Sequence, residues 1–96
     1  MANPFAAQTE LLIMRMLRDE PAGMYGLALV KASEGRLKRG TIYVTLGRLE
    51  EKGYVRSRAK PDGDHPGIPR PIYKITALGE RVLTGAEVAG WQFSEA

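Results

Sequence analysis

The chain has 96 residues, a net charge of +3 from 14 Lys and Arg against 11 Asp and Glu, and no cysteine. That length makes one domain with a modest core, near the size at which dimerisation commonly supplies missing burial. The lack of cysteine excludes disulfides, cysteine nucleophiles and thiolate metal sites, and the longest apolar run, Leu11 to Met14, is too short to span a bilayer, so a soluble cytoplasmic chain is expected.

Asn3-Pro4 offers an N-cap followed by proline at the first helical position, so a first helix can start as early as Pro4. Along it Leu12/Met16 and Ile13/Leu17 pair one turn apart, and Pro21 and Gly23 end it. A second, shorter helix is expected from about Tyr25 to Ser33, closed by Gly35, and a third from about Lys38 to Lys52. After Gly53 the period changes. "YVRSRA" and "IYKIT" are β-compatible, while "KPDGDHPGIPRP" between them has the marks of an exposed irregular loop. These read as a β-hairpin with Arg56, Arg58, Lys60 and Arg70 at or near its tip. Thr76 then caps a last helix from Ala77 towards Phe93, on which Val82, Ala86, Ala89 and Phe93 form one narrow apolar stripe.

The order helix, helix, helix, hairpin, helix predicts a mainly α chain with a small β-hairpin, the winged helix-turn-helix arrangement. Residues 1–76 are expected to form the winged helix, and 77–96 a short C-terminal dimerisation helix packed on the same domain. Charge follows this division. Residues 1–35 carry three cations and four anions, 36–81 eleven and five, and 82–96 two anions alone. A basic middle between slightly acidic ends suggests a middle that meets a polyanion and ends that meet protein; a solvated basic face is the plainer alternative.

In the third helix Ile42, Leu46 and Leu49 fall within about 60° of one another and make the buried stripe. Thr41, Thr45, Arg48 and Lys52 form a second stripe about 90° away. Thr can meet a thymine methyl or a hydrogen-bonding group, and Arg can read guanine or hold a phosphate, so this stripe suits a DNA major groove. Lys38 and Arg39 sit where the first turn would attract a phosphate, and Glu50 and Glu51 are expected to face away. The alternative is that the threonines are solvated and Arg48 pairs with Glu51. The wing cations Arg58, Lys60 and Arg70 favour the first reading, because they would lie beside the same duplex.

These segments carry a family resemblance. "LLIMRMLRDEPAGMYGLALVK", "LKRGTIYVTLGRLEEKGYV" and "RPIYKITALGERVL" resemble the PadR family of bacterial transcriptional regulators over roughly residues 9 to 84. The matched positions are Tyr25-Gly26, Gly40-Thr41-Ile42-Tyr43, Leu46, Arg48-Leu49-Glu50, Gly53, Tyr73, Ile75-Thr76 and Gly79. The resemblance implies a dimeric DNA-binding winged helix, usually a repressor, whose third helix enters the major groove and whose wing touches the backbone. It places Thr41, Tyr43 and Arg48 in the recognition motif and Arg70 in the basic wing. The chain departs from the family pattern at Val44, where many members have proline, and at Pro71-Ile72, where many have a cation or an aromatic. Family dimers use the first and last helices, so Leu12, Met16, Val82, Ala86, Ala89 and Phe93 are the expected interface, with a palindromic operator whose half-sites lie about one helical turn apart.

Other residues divide between packing and binding. Trp91 would pack in the dimer interface or contact a small aromatic effector, since some PadR-like proteins respond to such compounds. Tyr43 would hydrogen-bond a phosphate or pack with a polar tip; Tyr54 and Tyr73 are packing residues, and Tyr25-Gly26 a helix-start and packing device. His65, with Asp62 and Asp64, lacks the second histidine and rigid support of a metal site. No cofactor is expected and no catalytic constellation is present, so an enzyme is the poorest reading and a winged helix that binds only protein the better rival.

Overall fold

The computed structural model describes residues 8–62 and 65–89, with the backbone alone at 60–62 and 65–69. The elements are α1 (Gln8–Arg18), β1 (Met24–Tyr25), α2 (Gly26–Ala32), α3 (Ile42–Glu51), β2 (Val55–Asp62), β3 (His65–Ile75) and α4 (Ala77–Val88). The strands form one antiparallel sheet in the order β1-β3-β2. The mainly helical winged-helix reading holds, with a third short strand added.

Every helix feeds one core. Leu11, Ile13, Met14 and Leu17 enter it from α1, Leu29 from α2, Ile42, Leu46 and Leu49 from α3, and Leu83 and Ala86 from α4. Leu37, Tyr54, Val55 and Tyr73 complete it from the connections and the sheet.

Several boundaries differ from expectation. The start of α1 before Gln8 lies outside the described residues. Met24 and Tyr25 pair with Tyr73 and Ile72 as a strand, so α2 begins at Gly26. The third helix begins at Ile42 and not at Lys38: the Thr41 and Ile42 amides both donate to the Lys38 carbonyl, at 3.2 and 3.0 Å, in a turn through Gly40, a residue costly inside a helix. The hairpin is longer than expected, because β2 and β3 run as strands through most of the proline-rich segment to Asp62 and His65. Pro61 faces Pro69, and neither has an amide hydrogen, so by alternation the ladder bonds fall at Lys60/Arg70 and Arg58/Ile72. Pro71 then turns its nitrogen away from β2, past the end of the short β1, where no ladder bond is lost.

The joints explain much of the sequence pattern. After α3, Gly53 takes φ +79°, the Gly53 amide donates to Glu50 O and the Tyr54 amide to Leu49 O, both at 2.9 Å, a complete left-handed helix stop. Thr76 ties that stop to α4. Its hydroxyl donates to Gly53 O at 2.6 Å and accepts from the Gly79 amide at 3.0 Å. Two ion pairs link α1 to the rest: Arg18 grips Glu87 of α4 with both guanidinium nitrogens, at 2.8 and 3.0 Å, and Lys52 reaches the buried Glu10 at 2.9 Å.

The last helix corrects an expectation. Its inward line is Gly79, Leu83 and Ala86; Ala86 is only 5% exposed, so it packs within its own protomer and not on a partner. Burying Gly79 rotates the stripe, because the Thr76 cap presses α4 against the Tyr54 carbonyl at the place where glycine has no Cβ. The helix ends at Val88, with Ala89 as its C-cap and exposed; Trp91 and Phe93 lie outside the described residues. Leu12, Met16 and Val82 are half-buried against the core.

Candidate nucleic-acid interface

With Ile42, Leu46 and Leu49 wholly inside, the outward side of α3 carries the exposed Val44, Arg48 and Glu51, with the half-buried Gly47 at one edge and the exposed Thr41 at the other. Thr41 and Arg48 are exposed, and Arg48 has no ion-pair partner among the described residues. Thr45 is half-buried on the flank and its hydroxyl donates back to the Thr41 carbonyl at 3.2 Å. Lys52 leaves the expected stripe, since its ammonium is held by Glu10. Lys38 and Arg39 are exposed in the turn before the helix. Glu51, the last residue of α3, lies on the outward side, not away from it; Glu50 turns to the wing and accepts from the Ser57 hydroxyl at 2.7 Å.

Tyr43 is 47% exposed and leans across the start of α2. A Cβ on Gly26 would stand 2.7 Å from its ring, so glycine there is what lets the aromatic lie down. Tyr73 sits under the sheet near Glu50 and Tyr43, and burial, with the negative charge of Glu50 beside it, pushes its phenol above the ordinary range.

In the wing, cross-strand partners share a face, so Arg56 with Lys74, Arg58 with Ile72 and Lys60 with Arg70 all belong to the face opposite the core-facing Val55 and Tyr73. Of the four wing cations expected at or near the tip, Lys60 and Arg70 pair close to it, while Arg58 and Arg56 lie further back along β2. The Arg70 guanidinium lies 4.6 Å from the centre of the Tyr25 ring, a cation–π stack that carries the basic face onto β1 and the start of α2. The Lys60 side chain lies outside the described residues. An open recess of about 500 Å³ on this side is lined by Ala22, Arg56, Ser57, Arg58, Ala59, Ile72 and Lys74, three cations and no acid.

The transcriptional regulator PadR-like family model matches residues 13–85, most of the chain, from within α1 to within α4. The chain belongs to the PadR-like family. A PadR family regulator from Eggerthella lenta is 33% identical, with 85% of this chain and 73% of that one covered at a TM-score of 0.67. One from Clostridium difficile is 28% identical, with 83% of each chain covered at 0.69. The PcaV transcriptional regulator of Streptomyces coelicolor, solved with its natural ligand, shares the fold at 22% identity and 0.70, with 93% of this chain and 60% of that one covered. No curated protein matches the chain. This PadR-like chain is therefore a DNA-binding transcriptional regulator by family, and its relatives are regulators and not enzymes. Among the described residues, no helix is long and apolar enough to cross a membrane.

Sequence reasoning missed Val44 and Gly47 on the outward side of α3, and Lys74 as a member of the basic wing face. The helical wheel held the signal for the first two; Lys74 needs the strand register.

Proposed function

We propose that the protein is a cytoplasmic homodimeric repressor that binds a palindromic operator, with Lys38, Arg39, Thr41, Tyr43, Thr45 and Arg48 at the major groove and Arg58, Lys60 and Arg70 on the flanking backbone. The observation that carries the reading is Arg48. The cations that meet neighbouring helices, Arg18 and Lys52, are paired with Glu87 and Glu10, whereas Arg48 stands exposed on α3 with no acidic partner among the described residues. A guanidinium left so on an outward helix face suits guanine or phosphate.

The dimer would form along α1 and the end of α4, where Leu12, Met16 and Val82 are half-buried, Ala89 is exposed and Val88 is 83% exposed; Phe93, outside the described residues, is proposed to join them. Twofold symmetry then calls for half-sites about one helical turn apart. The test is fluorescence anisotropy against the DNA upstream of its own coding region, beside a scrambled duplex, at two salt concentrations. Preferential binding with two protomers per site is expected, and Arg48→Glu should lower it more than about ten-fold. Equal, salt-sensitive binding to both duplexes would sink the reading.

A small aromatic compound, stacked on Trp91, is the proposed releasing effector. The indole offers a flat apolar face, and PcaV shows a ligand held by a protein of the same fold. A panel of planar aromatics should quench Trp91 emission saturably; emission unmoved by all of them would count against the effector.

A further inference from the structure

Two neighbouring residues on the outward side of α3, the exposed Val44 and the half-buried Gly47, are poor choices for a helix surface that faces solvent. Val44 is 57% exposed, and its branched Cβ is stiff in a helix where straight polar side chains would do better. Gly47, one turn further on, is the worst helix former after proline. Among the described residues nothing asks for it: its φ is not left-handed, and an added Cβ would meet no atom within 4 Å beyond its own helix backbone and chain neighbours. Gly26 and Gly79, by contrast, are each required by a neighbour a Cβ would strike. A helix that gives up side chain at Gly47 and offers two methyl groups at Val44 is shaped for something that comes close from outside.

Resting on the DNA-binding reading above, we propose that Val44 and Gly47 form a seat for a thymine methyl group in the major groove. Residues three apart are neighbours on a helix surface, so the Val44 methyls wall one side of a gap whose floor is the bare backbone at Gly47. Thymine is the base that projects a methyl group into the major groove, and apolar side chains read it by contact. Thr41 and Arg48, each one turn from Val44, border the seat on the Val44 side with polar groups for the adjacent bases, and Glu51 follows one turn beyond Gly47, so the seat would fix where the helix stands along the groove as well as which base it prefers. The seat sets specificity at one base pair per half-site; the cations set affinity.

The full chain is used to select duplexes from a random pool. Each thymine of the selected half-site is then replaced by uracil, which removes the methyl and nothing else. One thymine per half-site should stand out, its replacement weakening the wild-type protein about four-fold, the value of one buried methyl. Val44→Ala should lose about as much and become indifferent at that position. Gly47→Ala should raise Tm by about 4 °C or more, so loss of folding cannot explain its result, yet bind the thymine duplex at least about ten-fold more weakly because the added methyl overfills the gap. A wild-type protein indifferent to every replacement, or a stabilised Gly47→Ala with unchanged affinity, would overturn the seat while leaving DNA binding intact. Failure to enrich any duplex would overturn both.

Discussion

Gly26 and Gly79 look alike in the sequence and differ in what each makes room for. At Gly26 the obstacle is the edge of the Tyr43 ring, the far end of a half-exposed side chain that can swing into solvent. At Gly79 it is the Tyr54 carbonyl, backbone fixed by the helix stop at Gly53 and by the bond from the Thr76 amide at 3.0 Å. Gly79→Ala is therefore expected to destabilise by about 3 kcal/mol or more in chemical denaturation, and Gly26→Ala by about 1 kcal/mol, the latter also displacing Tyr43. Equal costs for the two would mean that the backbone at Tyr54 gives as easily as a tyrosine ring. The same distinction separates Gly47, whose freedom serves no contact within the protein, from both.

Among elements, α1 is the strut against which α3 and α4 are set. It meets α4 through Arg18 and Glu87, and the end of α3 through Glu10 and Lys52. Hydrogen bonding from Arg18 holds the Glu87 carboxyl below its ordinary value of 4.5, and a carboxylate with a depressed folded value stabilises the fold above its unfolded value and loses that contribution as pH falls through the folded one. Between about pH 5 and pH 3 the denaturation midpoint should thus fall further in the wild type than in Glu87→Gln, and the gap should narrow in salt because the pair is partly exposed. Parallel acid titrations of the two would place no weight on this tie. The pairing matters to function through geometry: with Lys52 taken by Glu10, the cation left to the outward side of α3 is Arg48.

For the molecule as a whole, the periodic parts were legible in the sequence and the register-dependent parts were not. Ile42, Leu46 and Leu49 announce the inward face of α3 by spacing, Thr76 announces a cap, and both are found. The strand at Met24–Tyr25 is too short to show any period and exists because β3 passes beside it. The wing runs on through prolines because alternation sets them where no ladder bond is lost, a matter of pairing that no single strand displays. Ala86 was expected on a partner and is buried at home, since the depth to which α4 sinks is set by a glycine against a distant carbonyl. What the sequence determined by itself was therefore the family, the order of the four helices and the hairpin, and the core of α3, because these depend on residues close enough along the chain to share a helix turn, a strand or a cap. The tertiary structure alone decided which cations remain for a partner, which face the wing turns outward and how deep α4 sinks, because each depends on groups far apart in the chain that only folding brings together.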